Sequence, residues 1–117
     1  MSSSGKSISV QRLEKRLLKL FADVTLRELK NPNIGFVTFI SCNLSRDGSQ
    51  LVVKVSIYEE DEIEKKRCFQ ALKTSASFYR AKIKAVMSLR VIPKVIFELD
   101  HSIEILDEQP IISEQQE

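Results

Sequence analysis

A five-residue polar turn set between two β-rich segments constrains this chain more than any other feature. Ser45-Arg46-Asp47-Gly48-Ser49 includes a glycine free to take positive φ. After it, Leu51, Val53, Val55 and Ile57 alternate with Val52, Lys54 and Ser56, the period-2 pattern of a half-buried strand. Before it, Phe36 to Leu44 is rich in β-branched and aromatic residues. Two such runs joined by a short turn make an antiparallel hairpin. The remaining segments have to be arranged around it.

From about Ile8 to Lys30 the pattern is helical. Val10, Leu13, Leu17, Leu20, Phe21 and Val24 fall on one side at ~100° per residue. Asn31-Pro32-Asn33 stops this helix, because the residue before a proline is pushed out of the α region and Pro lacks the N–H. Acids from Glu59 to Glu64 favour the positive end of a helix dipole, which predicts a second helix opening near Asp61. Its inward side carries Cys68, Phe69, Leu72 and Ala76. Helical spacing continues through Tyr79, Ile83, Val86 and Leu89 to Arg90, long for one globular helix. The small polar stretch around Ser75, Ala76 and Ser77 predicts a bend there, since serine hydroxyls compete for backbone hydrogen bonds. Pro93 ends the segment, and Val95, Phe97 and Leu99 alternate with Ile96 and Glu98 as a third strand. The order is α-β-β-α-α-β without internal repeat.

That order predicts an α+β fold: a three-stranded sheet with helices packed on one face. Its core sets Leu13, Leu17, Leu20, Phe21 and Val24 against Val53, Val55 and Phe97, and Phe36, Phe39, Phe69 and Phe78 are read as core too. Residues 1–7 are expected to be disordered, 8–105 to form one domain, and 106–117 to be an acidic mobile tail.

Composition narrows the function. At 117 residues, 43% hydrophobic and 29% charged, the chain reads as one ordinary globular domain and a monomer. No apolar run approaches the ~18 residues of a membrane span, and the start lacks a secretory signal, so no membrane partner is expected. Cys42 and Cys68 have no metal-type spacing and fit reduced thiols in a cytoplasmic protein. Residues 101–117 hold five acids and no Lys or Arg, leaving 18 basic against 11 acidic side chains in the first 100 residues. A basic body points to a polyanionic partner.

Cations gather on one face of the first helix. Taking Arg12 as zero and ~100° per residue, Arg16, Lys19, Arg27 and Lys30 fall within about 60° of it. Such a row suits a phosphate backbone, because each neutralised phosphate releases counterions; a solvated helix face is the competing reading. Arg80 and Lys84 share a face of the third helix, Arg90 lies near its end, and Arg46 crowns the hairpin turn. No catalytic constellation is present: His101 is the only histidine, and no Ser/His/Asp or Cys/His arrangement follows from spacing. Gly5-Lys6-Ser7 mimics the end of a phosphate-binding loop, but too few residues precede it for the strand and glycine the motif requires. The reading is a non-enzymatic protein with no metal, no cofactor and no small-molecule substrate.

Taken in order, these segments resemble the ribosome-binding factor A family. The resemblance rests on Arg12-x-x-x-Arg16, then Asn31-Pro32-x-x-Gly35-x-Val37-Thr38, Ser45-Arg46-Asp47 at the turn, and Arg80 after the interhelical bend. Its most specific stretch is Leu89-Arg90-x-Ile92-Pro93-x-x-x-Phe97-x-x-Asp100-x-Ser102, and it covers roughly residues 8–105. It implies a type II KH-like fold and docking on the small ribosomal subunit. Late maturation of the 5′ region of small-subunit rRNA, including at low temperature, is the implied role. Two positions depart from the family pattern: Ser75-Ala76-Ser77 replaces an Ala-x-Gly, and Leu51 replaces a small residue. No Gly-x-x-Gly clamp occurs, so recognition by shape and charge is expected rather than four-base readout. The alternative is a protein-interaction module that binds a ribosomal protein without touching rRNA.

Overall fold

A computed structural model describes residues 6–100; the expectations for residues 1–5 and 101–117 lie outside it. Six elements follow one another: α1 (Ile8–Arg27), β1 (Val37–Leu44), β2 (Gln50–Ile57), α2 (Glu62–Thr74), α3 (Ala76–Val86) and β3 (Lys94–Leu99). The order is the α-β-β-α-α-β of an α+β fold. β1 pairs antiparallel with β2 through the expected hairpin. β3 pairs parallel with β2, so β2 is the central strand and the sheet is mixed. A register shift at Ile40 kinks the edge strand β1.

Local chemistry explains the boundaries. The Ser7 hydroxyl accepts the Val10 N–H at 3.2 Å and caps α1; the Asp61 carboxylate accepts the Ile63 N–H at 2.9 Å and caps α2. The long helical segment divides at Ser75, whose φ of −89° and ψ of 5° lie outside the helix. Its side chain donates to the Ala71 carbonyl at 2.8 Å, while its N–H is shared between Ala71 and Leu72. The buried serine thus takes up the acceptors of the preceding turn.

One face of the sheet makes the core. Cys42 on β1, Leu51, Val53, Val55 and Ile57 on β2, and Val95 and Phe97 on β3 are buried. Leu17, Phe21 and Val24 of α1 pack on them, with Leu13 and Leu20 partly buried beside them; Leu72, Tyr79 and Ile83 complete the layer. Phe21 and Tyr79 stack with centroids 4.5 Å apart, and Phe97 meets both edge-on at 6.1 and 5.6 Å.

Three expectations need correction. α1 ends at Arg27, not Lys30: the N–H groups of Glu28 and Leu29 both turn back to the Val24 carbonyl, closing the helix before Pro32. α3 ends at Val86, not Arg90, because Met87 is extended (φ −126°, ψ 141°) and the chain turns back to pack Met87, Leu89 and Ile92 against the core. Val86, read as inward, is therefore exposed. Phe36 is 81% exposed rather than core, since it precedes β1 and lines an open groove beside α1 instead of the packed layer.

Candidate nucleic-acid interface

The apolar residues of α1 face the sheet, which turns its basic side outward. Arg12, Arg16, Lys19 and Arg27 are all exposed, opposite buried Leu17, Phe21 and Val24. Their row is roughly 22 Å long at ~1.5 Å rise per residue. Lys30 does not extend it, because the helix has already ended. Lys19 reaches Asp23 at 3.3 Å, one turn along the same face. Arg12, Arg16 and Arg27 have no carboxylate within ion-pair reach among the described residues, so their charge is available to an outside anion.

The hairpin turn places Arg46 beside the N-terminal end of α1. A cleft of about 510 Å³ is lined by Lys6, Ser7 and Val10 on one side and Leu44 to Gly48 on the other. The turn is stiff. Asp47 accepts hydrogen bonds from the Ser49 N–H (3.0 Å), the Ser49 hydroxyl (2.7 Å) and the Ser45 hydroxyl (2.9 Å). These bonds hold the Asp47 carboxyl below the usual carboxylate range. Gly48 takes the positive φ of 77° that closes the turn. Arg46 is thereby held exposed on a fixed loop.

Glu14, which sequence reasoning passed over, ties the two together. Its carboxylate accepts the Leu44 N–H at 2.8 Å and pairs with Lys6. The pairing fastens the first turns of α1 to the end of β1. No sequence signal marks it, since a glutamate on a helix ordinarily faces solvent.

Arg80, Lys84 and Arg90 stand apart from the α1 row. Lys82 pairs with Glu28 just past the end of α1, so that side of α3 faces α1. Arg80 and Lys84 lie on the opposite side, roughly 200° away at ~100° per residue. Arg80 donates from Nε and Nη2 to the carbonyls of Pro93 (3.1 Å) and Ile92 (3.2 Å), which ties it to the protein's own backbone. Lys84 and Arg90 are exposed, Arg90 in the connection to β3. The expected support of the α1 row by Arg80 and Lys84 is not the arrangement found. Lys94, which begins β3, donates its N–H to the Ser49 carbonyl at 2.8 Å and so stands beside the hairpin turn. A parallel strand register brings it there, which sequence spacing does not reveal.

No group of three or more His, Cys, Asp or Glu side chains placed to hold a metal occurs among the described residues. Cys42 is buried beside Glu14, and the two effects, burial first, push its thiol up to about 12. Such a thiol suits packing rather than chemistry.

The family model described as ribosome-binding factor A matches residues 9–109. The chain belongs to the ribosome-binding factor A family. The ribosome-binding factor A of Natranaerobius thermophilus is 35% identical over 94 residues, 80% of this chain and 71% of the relative. That of Macrococcus caseolyticus is 33% identical over 98 residues, covering 84% and 85%. The crystal structure of ribosome-binding factor A from Thermus thermophilus superposes with a TM-score of 0.65 at 26% identity, covering 76% of this chain and 93% of that one. A homology-based structure of the Thermus thermophilus factor, fitted into a cryo-EM map of a 30S complex, gives a TM-score of 0.62 at 25% identity and covers 77% and 93%.

Proposed function

We propose that this ribosome-binding factor A family member is a non-enzymatic assembly factor that docks on the small ribosomal subunit. It assists late maturation of small-subunit rRNA at its 5′ region, including at low temperature. Arg12, Arg16, Lys19 and Arg27, joined by Arg46, supply the phosphate contacts; Lys84 and Arg90 form a second, smaller contact. The observation that carries this reading is the outward row of arginines without carboxylate partners among the described residues, in a family with a member placed in a 30S complex. Without a nucleotide-clamping loop, recognition relies on the shape and charge of folded rRNA. The protein works as a monomer in the cytoplasm, where subunits mature.

The test replaces Arg12, Arg16 and Lys19 together by Gln, which keeps helix propensity nearly constant. The variant is expected to stay folded by circular dichroism and to leave the small-subunit fraction in sedimentation at physiological salt. Each lost phosphate contact shallows the log–log salt slope by up to ~1. Undiminished association by the folded variant would move the site to Arg46 and the far end of α3. A salt-independent association of the native protein would favour docking on a ribosomal protein instead.

A further inference from the structure

A groove of about 710 Å³ runs between the second half of α1 and β1, lined mainly by Ala22, Leu26, Leu29, Ile34, Phe36 and Phe39. Among the described residues, no charged side chain lines it. Leu26 and Phe36 are 84% and 81% exposed, a cost in water that a docked apolar segment would remove. β1 is an edge strand, paired only with β2 among the described residues. Arg27 and Lys30 follow the groove residues Leu26 and Leu29 directly in the chain and both are exposed, so two cations lie within a residue of its lining.

The position at which the chain leaves the sheet points to the occupant. The Asp100 N–H donates to the Val55 carbonyl at 2.8 Å, and Val55 stands opposite Phe39. The chain therefore leaves β3 level with the groove and two strand spacings, roughly 10 Å, from β1. Residues 101–117 then contain five acids, no Lys or Arg, and the apolar pair Ile111-Ile112 between Asp107-Glu108 and Glu114. Ile111 lies eleven residue steps beyond Asp100, enough to span up to ~36 Å when extended. The family match ends at residue 109, so this pair lies beyond the matched region.

We propose that Ile111-Ile112 docks in the groove beside Leu26 and Phe36, with the neighbouring acids facing Arg27 and Lys30. The docked segment would screen one end of the cationic row; that consequence rests on the proposed function, whereas the docking does not. Burial of Cys42 and Cys68 leaves Ser113→Cys as the reactive site for a nitroxide on the full-length chain. In the absence of RNA, the label should broaden the amide signals of Leu26, Leu29 and Phe36, and Ile111→Asp with Ile112→Asp should abolish that broadening. Leu26→Asp, at an exposed position, should abolish it equally. Broadening spread evenly over the molecule, or unchanged in either variant, overturns the proposal. Broadening of an isotope-labelled native chain by a separate spin-labelled chain would identify a second copy as the occupant and overturn it too. If docking holds, the double aspartate variant should bind small subunits several-fold more tightly at low salt. Docking without that gain would refute the screening of the cationic row and leave the contact itself standing.

Discussion

The Arg80 guanidinium reaches across from α3 to donate to the Pro93 carbonyl at 3.1 Å, with a second bond to Ile92 at 3.2 Å. The connection that leads into β3 has few backbone partners of its own, and this side chain fixes its exit. Arg80 therefore acts as a brace for the segment that carries Arg90, and its planar fork fits two adjacent carbonyls.

Replacing Arg80 by Gln should lower stability by ~1–2 kcal/mol in urea denaturation, the worth of hydrogen bonds to a charged donor at a partly open site. The salt slope of subunit binding should change little. A slope shallower by a full unit would instead mark Arg80 as a phosphate contact.

Leu17 is fully buried where α1 meets the sheet. Leu17→Ala should cost ~2–5 kcal/mol through lost burial and the cavity left behind. Lys15→Ala, on the exposed side of the same helix, should cost less than ~0.5 kcal/mol. Similar losses at both positions would contradict the orientation of α1.

Tyr79 and Thr25 meet at 2.6 Å between α3 and α1, and the Thr25 hydroxyl already donates to the Phe21 carbonyl at 2.7 Å. A threonine hydroxyl has one proton, so Tyr79 must be the donor in this pair. Tyr79→Phe keeps the stack on Phe21 and should cost only ~1 kcal/mol. Tyr79→Ala removes the stack as well and should cost ~3–5 kcal/mol. Equal losses from the two variants would mean that the hydroxyl, not the ring, holds the helices together.

The Cys42 thiol gives a pH signature. Its folded value, raised to about 12, exceeds the ordinary ~8.5 of an unfolded thiol. The neutral form is therefore favoured by folding: this contribution is complete below pH ~8.5 and is lost as pH climbs toward the folded value. Native protein at pH 8 should leave Cys42 unlabelled by a thiol reagent, while urea-unfolded protein labels at once. Rapid native labelling would show that strand β1 opens readily.

Asp47 works in the opposite direction. Its depressed carboxyl contributes to the turn above the ordinary carboxylate value and loses that contribution as pH falls through the folded one. Carboxyl resonances followed by NMR should place Asp47 below the ordinary carboxylate value. Asp47→Asn should bring the acid loosening of the Ser45–Ser49 turn to neutral pH.

Much of the fold was legible because its signals are local. The amphipathic stripe of α1, Gly48 in the hairpin turn and the hydroxyls around Ser75 each act within a few residues of themselves. The cationic face of α1 was legible for the same reason: a helix that buries Leu17, Phe21 and Val24 must turn Arg12, Arg16 and Lys19 outward. The ends of α1 and α3 were misread because periodicity runs on past the point where the backbone stops. Leu89 keeps helical spacing yet packs from an extended connection.

The sequence by itself determined the six elements, their order and the basic side of the first helix, since these follow from residue spacing and backbone preference alone. Only the tertiary structure decided that β3 lies parallel beside β2, which carries Lys94 to the hairpin turn and sends the chain out level with β1. It also decided that Glu14 and Arg80 hold backbone groups far along the chain, Leu44 and Pro93. A long-range register and a partner far along the chain leave no periodic trace. They are set by which carbonyl or N–H lacks a partner once the layers have packed.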